Sequence, residues 1–212
     1  MTLFDFLFLA SILLFVICVL LILISAARAR FDRVGWWSRL LVSYFAAYAL
    51  LLLITSLFSP RRVYAPGERR CWDDWCATAV RAVPAEASAI PVCPATPNSR
   101  VWLAEIEVSS PAKRVRQRAL DARAAIEDQH GSRYSPCAGW LTQGTTPPHT
   151  LSDPLGPGES FSVFLPFQLP ADRQPVGMVL QHGASPGLLI IGDDSSFLHR
   201  RALQPFATLS RN

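Results

Sequence analysis

The sequence predicts an N-terminal two-helix transmembrane hairpin followed by an all-β antiparallel sandwich of immunoglobulin-like type, and three observations carry that expectation. The first 58 residues are far more apolar than the rest and hold two long runs almost without charge. Beyond residue 70 the pattern changes to short alternating runs separated by Pro-, Gly- and Asp-containing clusters, as strands and turns require. Cys71, Cys76, Cys93 and Cys137 all fall in this second part, an even set of the kind that oxidising compartments convert to disulfides.

The first run, Leu3 to Ser25, is interrupted only by Asp5; as a helix it reaches about 34 Å, enough to cross a hydrocarbon layer of about 30 Å. The second, Leu40 to Phe58, has no charge and reaches about 28 Å, which spans with little tilt. A cleaved signal peptide is the competing reading of the first run, but the run is long for an h-region and no Lys or Arg precedes it. The expected organisation is therefore a hairpin over 1–58 (helices about 3–25 and 40–58), a juxtamembrane linker over 59–70 and a β-sandwich domain over 71–212.

Arg28, Arg30, Arg33 and Arg39 lie in the connection between the two runs, opposed by Asp32, so the positive-inside rule places that connection in the cytoplasm. Arg61, Arg62, Arg69 and Arg70 flank the other end of the second run and pull the opposite way. The cysteines break the tie, because disulfides need an oxidising compartment. The expectation is a protein of the bacterial inner membrane with both termini and the C-terminal domain on the periplasmic side. Trp36 and Trp37 beside the arginines fit an interfacial aromatic belt. Residues 61–212 carry 16 Lys or Arg against 14 Asp or Glu, too even a balance for a nucleic-acid binder.

Ser59 to Arg70 contains two prolines, one glycine and four arginines, a short linker suited to lie against headgroups. Val83–Ser99 and Thr142–Gly158 are Pro-rich loops. Trp75–Val83 alternates as a β-type run, and Val101–Val108 alternates more clearly and reads as a half-buried strand, with Trp102, Ala104, Ile106 and Val108 on one side. Ala122–Ile126 leads into a hairpin turn at Asp128–Gly131, and Phe161–Leu169 places Phe161, Val163, Leu165, Phe167 and Leu169 on one face. Val176–Leu180, Leu188–Ile191 and Phe197–Leu203 follow, the last two reading as a hairpin about GDDSS. Lys113–Ala125 is compatible with a basic helix or with loop and arginine-rich edge strand, and loop and strand is the preferred reading.

The stretches WLAEIEVSSPAKRV, IEDQHGSRYSP and LGPGESFSVFLPFQLP resemble the telokin-like immunoglobulin-fold domains of exported, membrane-anchored bacterial proteins of unknown function. The matching elements are Asp128, Gly131 and Tyr134 of a D-x-x-G-x-x-Y turn, Pro157 to Glu159, and Phe167 with Pro170, within about Trp75–Leu203. A polar position after the second strand in that family falls at Ser109 or Ser110. The resemblance implies a sandwich and no particular activity.

Chemistry-bearing constellations are sparse. Cys71-Trp-Asp-Asp-Trp-Cys76 has four residues between its thiols, where a thioredoxin-type dithiol needs two and a helix start. Cys93 and Cys137 lack the paired spacing of zinc ligands. The preferred reading of the first pair is a structural disulfide closing a short loop; Cys93 with Cys137 would then tie two Pro-rich loops, although four cysteines allow three pairings. Cys18 is a small apolar residue of the first helix. Asp73 with Asp74, and Asp193 with Asp194, lack the spacing of a calcium loop and read as solvated turns. Ser160 and Ser185 do not sit in a nucleophile elbow, and His130, His149, His182 and His199 are scattered over turns and strand ends.

No catalytic, cofactor or metal residue is therefore assigned, and no small-molecule substrate is evident. In the second helix, Ser43, Ala46, Ala47 and Ala49 permit close helix packing, which lipid anchorage does not demand. The function expected is that of a non-enzymatic, membrane-anchored accessory or scaffolding subunit in contact with lipid and with integral-membrane partners; respiratory and photosynthetic reaction-centre assemblies are candidate hosts. The alternative is a surface or periplasmic binding module for a peptide, glycan or envelope component.

Overall fold

The computed structural model describes residues 3–85, 93, 96–137, 149–183, 187–194 and 196–209. Two helices, α1 (Leu3–Ala27) and α2 (Phe31–Phe58), precede nine strands: β1 (Arg70–Trp72), β2 (Trp75–Ala85), β3 (Ser99–Ser109), β4 (Arg123–Asp128), β5 (Arg133–Tyr134), β6 (Ser160–Pro170), β7 (Pro175–Gln181), β8 (Gln204–Pro205) and β9 (Thr208–Leu209). The chain divides into two compact units: residues 1–61 with 184–200, and residues 62–183 with 201–212.

In the first unit both helices are long and apolar enough to cross a membrane. The connection is far shorter than the expected 26–39, because α2 begins at Phe31. Arg33, Trp36, Trp37 and Arg39 consequently sit on the first turns of α2, and of the expected loop residues Arg28 and Arg30 remain in the turn. The expected second helix began at Leu40, just after the charge of Arg39, but Arg and Trp are tolerated in helices and nothing in 31–39 breaks one. Ala29 adopts a left-handed conformation (φ 52°), with Ala29 N–H donating to the Ala26 carbonyl and Arg30 N–H to that of Ser25. This paired return closes α1 as a Schellman turn.

The seam between the helices is narrow. Ser11, Cys18 and Ser25 recur every seven residues on α1 and are buried, as are Leu52 and Ser56 on α2. The Ser11 and Tyr44 hydroxyls lie 2.7 Å apart, and the rings of Phe15 and Phe45 meet edge to face at 5.7 Å. Small residues at the seam let the helices approach closely. Most large apolar side chains of both helices remain exposed.

Residues 187–199 belong to this unit and correct the expected Leu188–Ile191/Phe197–Leu203 hairpin. They form successive tight turns, with Ile190 N–H bonded to the Gly187 carbonyl, Asp193 to Ile190, Ser196 to Asp193 and His199 to Ser196. Two glycines and paired aspartates favour turns over extension. Of the expected second strand, only Leu203 pairs in extended fashion, in a bridge to Val63.

The second unit is a sandwich of two sheets. One has the order β1-β2-β3-β6, with β9 also on β2; the other has the order β5-β4-β7-β8. All pairings are antiparallel except β9 on β2. Trp75, Ala77, Ala79 and Ala82 of β2, Trp102, Ala104, Ile106 and Val108 of β3, and Val163, Phe167 and Leu169 of β6 pack in one core with Ala124 and Ile126 of β4 and Met178 and Leu180 of β7. The inward alternation expected for β3 and β6 is present. On β2 the register shifts between Ala79 and Arg81, so Ala79 and Ala82, three apart, are both buried. Arg114 to Ala122 runs as loop before β4 starts at Arg123.

Two disulfides join Cys71 to Cys76 and Cys93 to Cys137. The first lies directly across the β1–β2 hairpin, in register with Trp72 opposite Trp75, and Asp73 adopts φ 54° at its two-residue turn. The second packs with Val101 and Leu103 on the outer face of β3. That cover explains two apolar residues on a face that otherwise carries Glu105, paired with Arg81 at 2.6 Å, and Glu107. Most of the Val83–Ser99 loop and the first part of Thr142–Gly158 fall outside the described residues.

Candidate functional site

An array of polar and aromatic side chains in the sandwich is built from the segment that follows α2. The Arg62 guanidinium lies 4.6 Å above the Tyr64 ring. Arg70 stands 5.7 Å from the same ring and 4.3 Å from that of Trp72, so two cations and two aromatic faces alternate. Each such contact contributes on the order of 0.5–2 kcal/mol. Arg70 is buried and donates from Nη1 to the Leu180 carbonyl at 3.2 Å, which fixes β1 to β7 across the sandwich. Trp72 and Trp75 pack on each other at 5.5 Å, and the His182 ring sits 5.1 Å from Trp75.

His182 extends this array to a carboxylate. Its Nδ1 lies 2.5 Å from Asp121 Oδ1, while the Gly183 N–H donates to Asp121 Oδ2 at 3.0 Å. Partial burial opposes ionisation of Asp121, but the imidazole hydrogen bond, the Gly183 N–H and the imidazole charge outweigh it and hold the carboxyl below its ordinary range. An imidazole–carboxylate pair can carry a proton; acyl transfer needs in addition a nucleophile within reach of the ring.

Asp128 anchors a second cluster at the β4–β5 turn. Its Oδ1 accepts from the N–H groups of His130 (2.9 Å) and Ser132 (2.8 Å), and Oδ2 from the Tyr134 hydroxyl (3.1 Å). Arg173 Nη1 lies 3.6 Å from Oδ2, and the carboxylate is fully buried. Burial alone would raise this carboxyl, yet the two N–H groups, the phenol and Arg173 together lower it. The Tyr134 hydroxyl is pushed up, by burial first and then by its bond to Asp128 and that residue's charge. Asp128, Gly131 (φ 81°) and Tyr134 thus form one hydrogen-bonded turn.

The other histidines are dispersed. His149 pairs with Asp153 at 3.2 Å and stacks on Phe161 at 4.4 Å, and His199 is buried among the turns of residues 187–199. Asp74 accepts from Gln117 at 3.4 Å, and Asp73 is exposed. Ser160 is exposed at the start of β6, while Ser185 lies outside the described residues. Among the described residues no group of three or more His, Cys, Asp or Glu side chains could hold a metal ion. Ser43, Ala46, Ala47 and Ala49 are exposed in the helix pair, whose seam uses Tyr44, Phe45, Leu52 and Ser56 of the same helix.

The Arg62-Tyr64-Arg70-Trp72 array and the Asp121–His182 pair escape sequence reasoning for different reasons. Arg62/Tyr64 and Arg70/Trp72 each have the two-residue spacing of one strand face, a signal masked by the linker's composition. Asp121 and His182 stand 61 positions apart, and nothing local announces their contact.

No protein-family model matches the chain, and no curated protein is similar to it. Among solved structures it resembles MPT63, a secreted protein of Mycobacterium tuberculosis, at 14% identity and a TM-score of 0.41, over 69% of this chain and 98% of that one. It also resembles an uncharacterized β-sandwich protein of Clostridium difficile 630 at 13% identity and a TM-score of 0.39, over 69% of this chain and 95% of that one. Similarity this distant carries nothing about activity.

Proposed function

We propose that this chain is a non-enzymatic, membrane-anchored accessory subunit of a larger membrane complex, with α1 and α2 crossing the bilayer and an immunoglobulin-like domain on the extracytoplasmic side. The observation that carries this reading is the exposed apolar surface of the helix pair, which buries little more than one seam. Such surface is stable in lipid or against other helices and costly in water. The exposure of Ser43, Ala46, Ala47 and Ala49 supports a helical partner in addition to lipid, since small residues gain contact where another backbone approaches.

The strand order β2-β3-β6 over β5-β4-β7-β8 matches the A-B-E over C′-C-F-G order of immunoglobulin sandwiches and supports that class. Two disulfides in the sandwich favour an oxidising compartment, and Arg28 and Arg30 in the turn between the helices favour its cytoplasmic placement. Purification from native membranes in mild detergent, followed by native mass spectrometry, tests the subunit role. The expected result is a stoichiometric integral-membrane partner that is lost in an Ala46→Leu/Ala47→Leu variant with an intact sandwich; a monodisperse monomer would overturn the proposal.

A further inference from the structure

We infer that residues 187–199 are a third membrane element, a turn-rich segment seated in the outer leaflet against α1 and α2, whose exposed apolar side chains meet lipid acyl chains. This rests on the reading of α1 and α2 as a transmembrane pair. The Tyr48 hydroxyl donates to the Leu189 carbonyl at 2.8 Å. Tyr48 precedes the end of α2 at Phe58 by about 15 Å of helix, so the contact lies no deeper than the middle of a hydrocarbon layer about 30 Å thick. The ring of Phe4, in the first turn of α1, lies so close to Gly192 that a Cβ there would meet it at 3.4 Å. The segment therefore runs alongside the helices from the outer end of α1 down to the level of Tyr48.

Its surface and backbone suit that place. Leu188, Leu189, Phe197 and Leu198 are 37%, 53%, 49% and 55% exposed, continuous with the exposed apolar faces of helices that lie in the same compact unit. Backbone in lipid must satisfy its polar groups internally. Here the Leu188 carbonyl accepts from Phe197 N–H, the Leu189 carbonyl from Tyr48 and the Ile190 carbonyl from the Ser196 hydroxyl. The turns between Gly187 and His199 supply further bonds of the same kind. Asp193 and Asp194 follow Gly192 at the level of Phe4, the outer boundary of α1, and Arg200 and Arg201 succeed the segment, where arginines reach headgroup phosphates.

The test uses the full chain in phosphatidylcholine–phosphatidylglycerol vesicles, with both disulfides intact and Cys18 replaced by Ala. Nitroxide labels are placed singly at Leu189→Cys, Phe197→Cys, Ile54→Cys on α2 and Val115→Cys on the sandwich. Power saturation compares collision with oxygen, which concentrates in lipid, and with a water-soluble nickel chelate. At 189 and 197 the oxygen-to-nickel ratio should match that at 54 and exceed that at 115 several-fold. A lipid signature at 54 with an aqueous one at both 189 and 197 overturns this inference and leaves the anchor standing; an aqueous signature at 54 overturns both.

Discussion

Asp128 has its four partners in three different places: the turn that follows β4, β5, and the turn that follows β6. Asp128→Asn keeps the shape but removes the charge that His130, Ser132, Tyr134 and Arg173 converge on, and should destabilise the sandwich by about 3 kcal/mol; Tyr134→Phe should cost about 1 kcal/mol. Urea denaturation under non-reducing conditions checks both. Because the folded-state carboxyl sits below its ordinary value, the unfolded chain binds more protons as pH falls below about 4. The contribution of Asp128 is therefore fully present above that pH and is lost as pH falls through the folded-state value, so Asp128→Asn should flatten the acid limb of the stability curve. A second buried residue acts on backbone. Gln204, 2% exposed, accepts from Ala79 N–H at 3.1 Å and donates to the Ala77 carbonyl at 3.3 Å, filling the stretch of β2 left between β1 and β9. Gln204→Leu strands two buried backbone groups and should cost about 2–4 kcal/mol in the same assay. Asp128 was legible as a turn residue from its spacing to Gly131 and Tyr134. Gln204 was not, since a lone glutamine near the C-terminus has no periodicity and its partners lie more than a hundred residues earlier.

At the scale of elements, the strands that alternate strictly were readable down to which face is buried. β3 and β6 satisfy one buried face and one open face, so period two survives in their sequences. β2 breaks it with a bulge, and β1, three residues long, has too little sequence to declare itself. The two disulfides should differ in worth. Removing Cys93–Cys137, which closes a loop of separation 44, should cost about 4 kcal/mol in the chain-entropy treatment. Removing Cys71–Cys76, separation 5, should cost about 2 kcal/mol, as double Ser variants compared by thermal unfolding would show. Between β7 and β8, a Cβ on Gly177 would meet the Gln204 carbonyl oxygen at 2.5 Å and Pro205 Cα at 2.9 Å. Both are backbone, so Gly177→Ala should cost about 1–3 kcal/mol and weaken that pairing, visible as faster amide exchange at Met178. Residues 187–199 misled sequence reading because their apolar runs are as long as strand runs, while the bonds that make them turns close within the segment itself.

For the whole molecule, the chain leaves one compact unit and enters the other after residues 61, 183 and 200. The topology argued from charge and cysteines predicts that a thiol introduced at Ala29 reacts with an impermeant maleimide only after the inner membrane is opened, whereas one at Leu120, 73% exposed, reacts once the outer envelope is permeable. The reverse order would invert the protein. Local composition and period suffice for two helices of spanning length, a β-type remainder, the turn at Asp128–Gly131 and a cysteine set fit for disulfides. Three-dimensional packing alone joins residues 187–199 to the helices and gathers Arg62, Tyr64, Arg70, Trp72, Trp75, His182 and Asp121 into one array. The physical reason is that helix and strand signals are carried by neighbours a few positions apart, while these contacts join residues brought together by sheet pairing and packing, of which the sequence holds no more than the two-residue spacing of Arg62/Tyr64 and Arg70/Trp72.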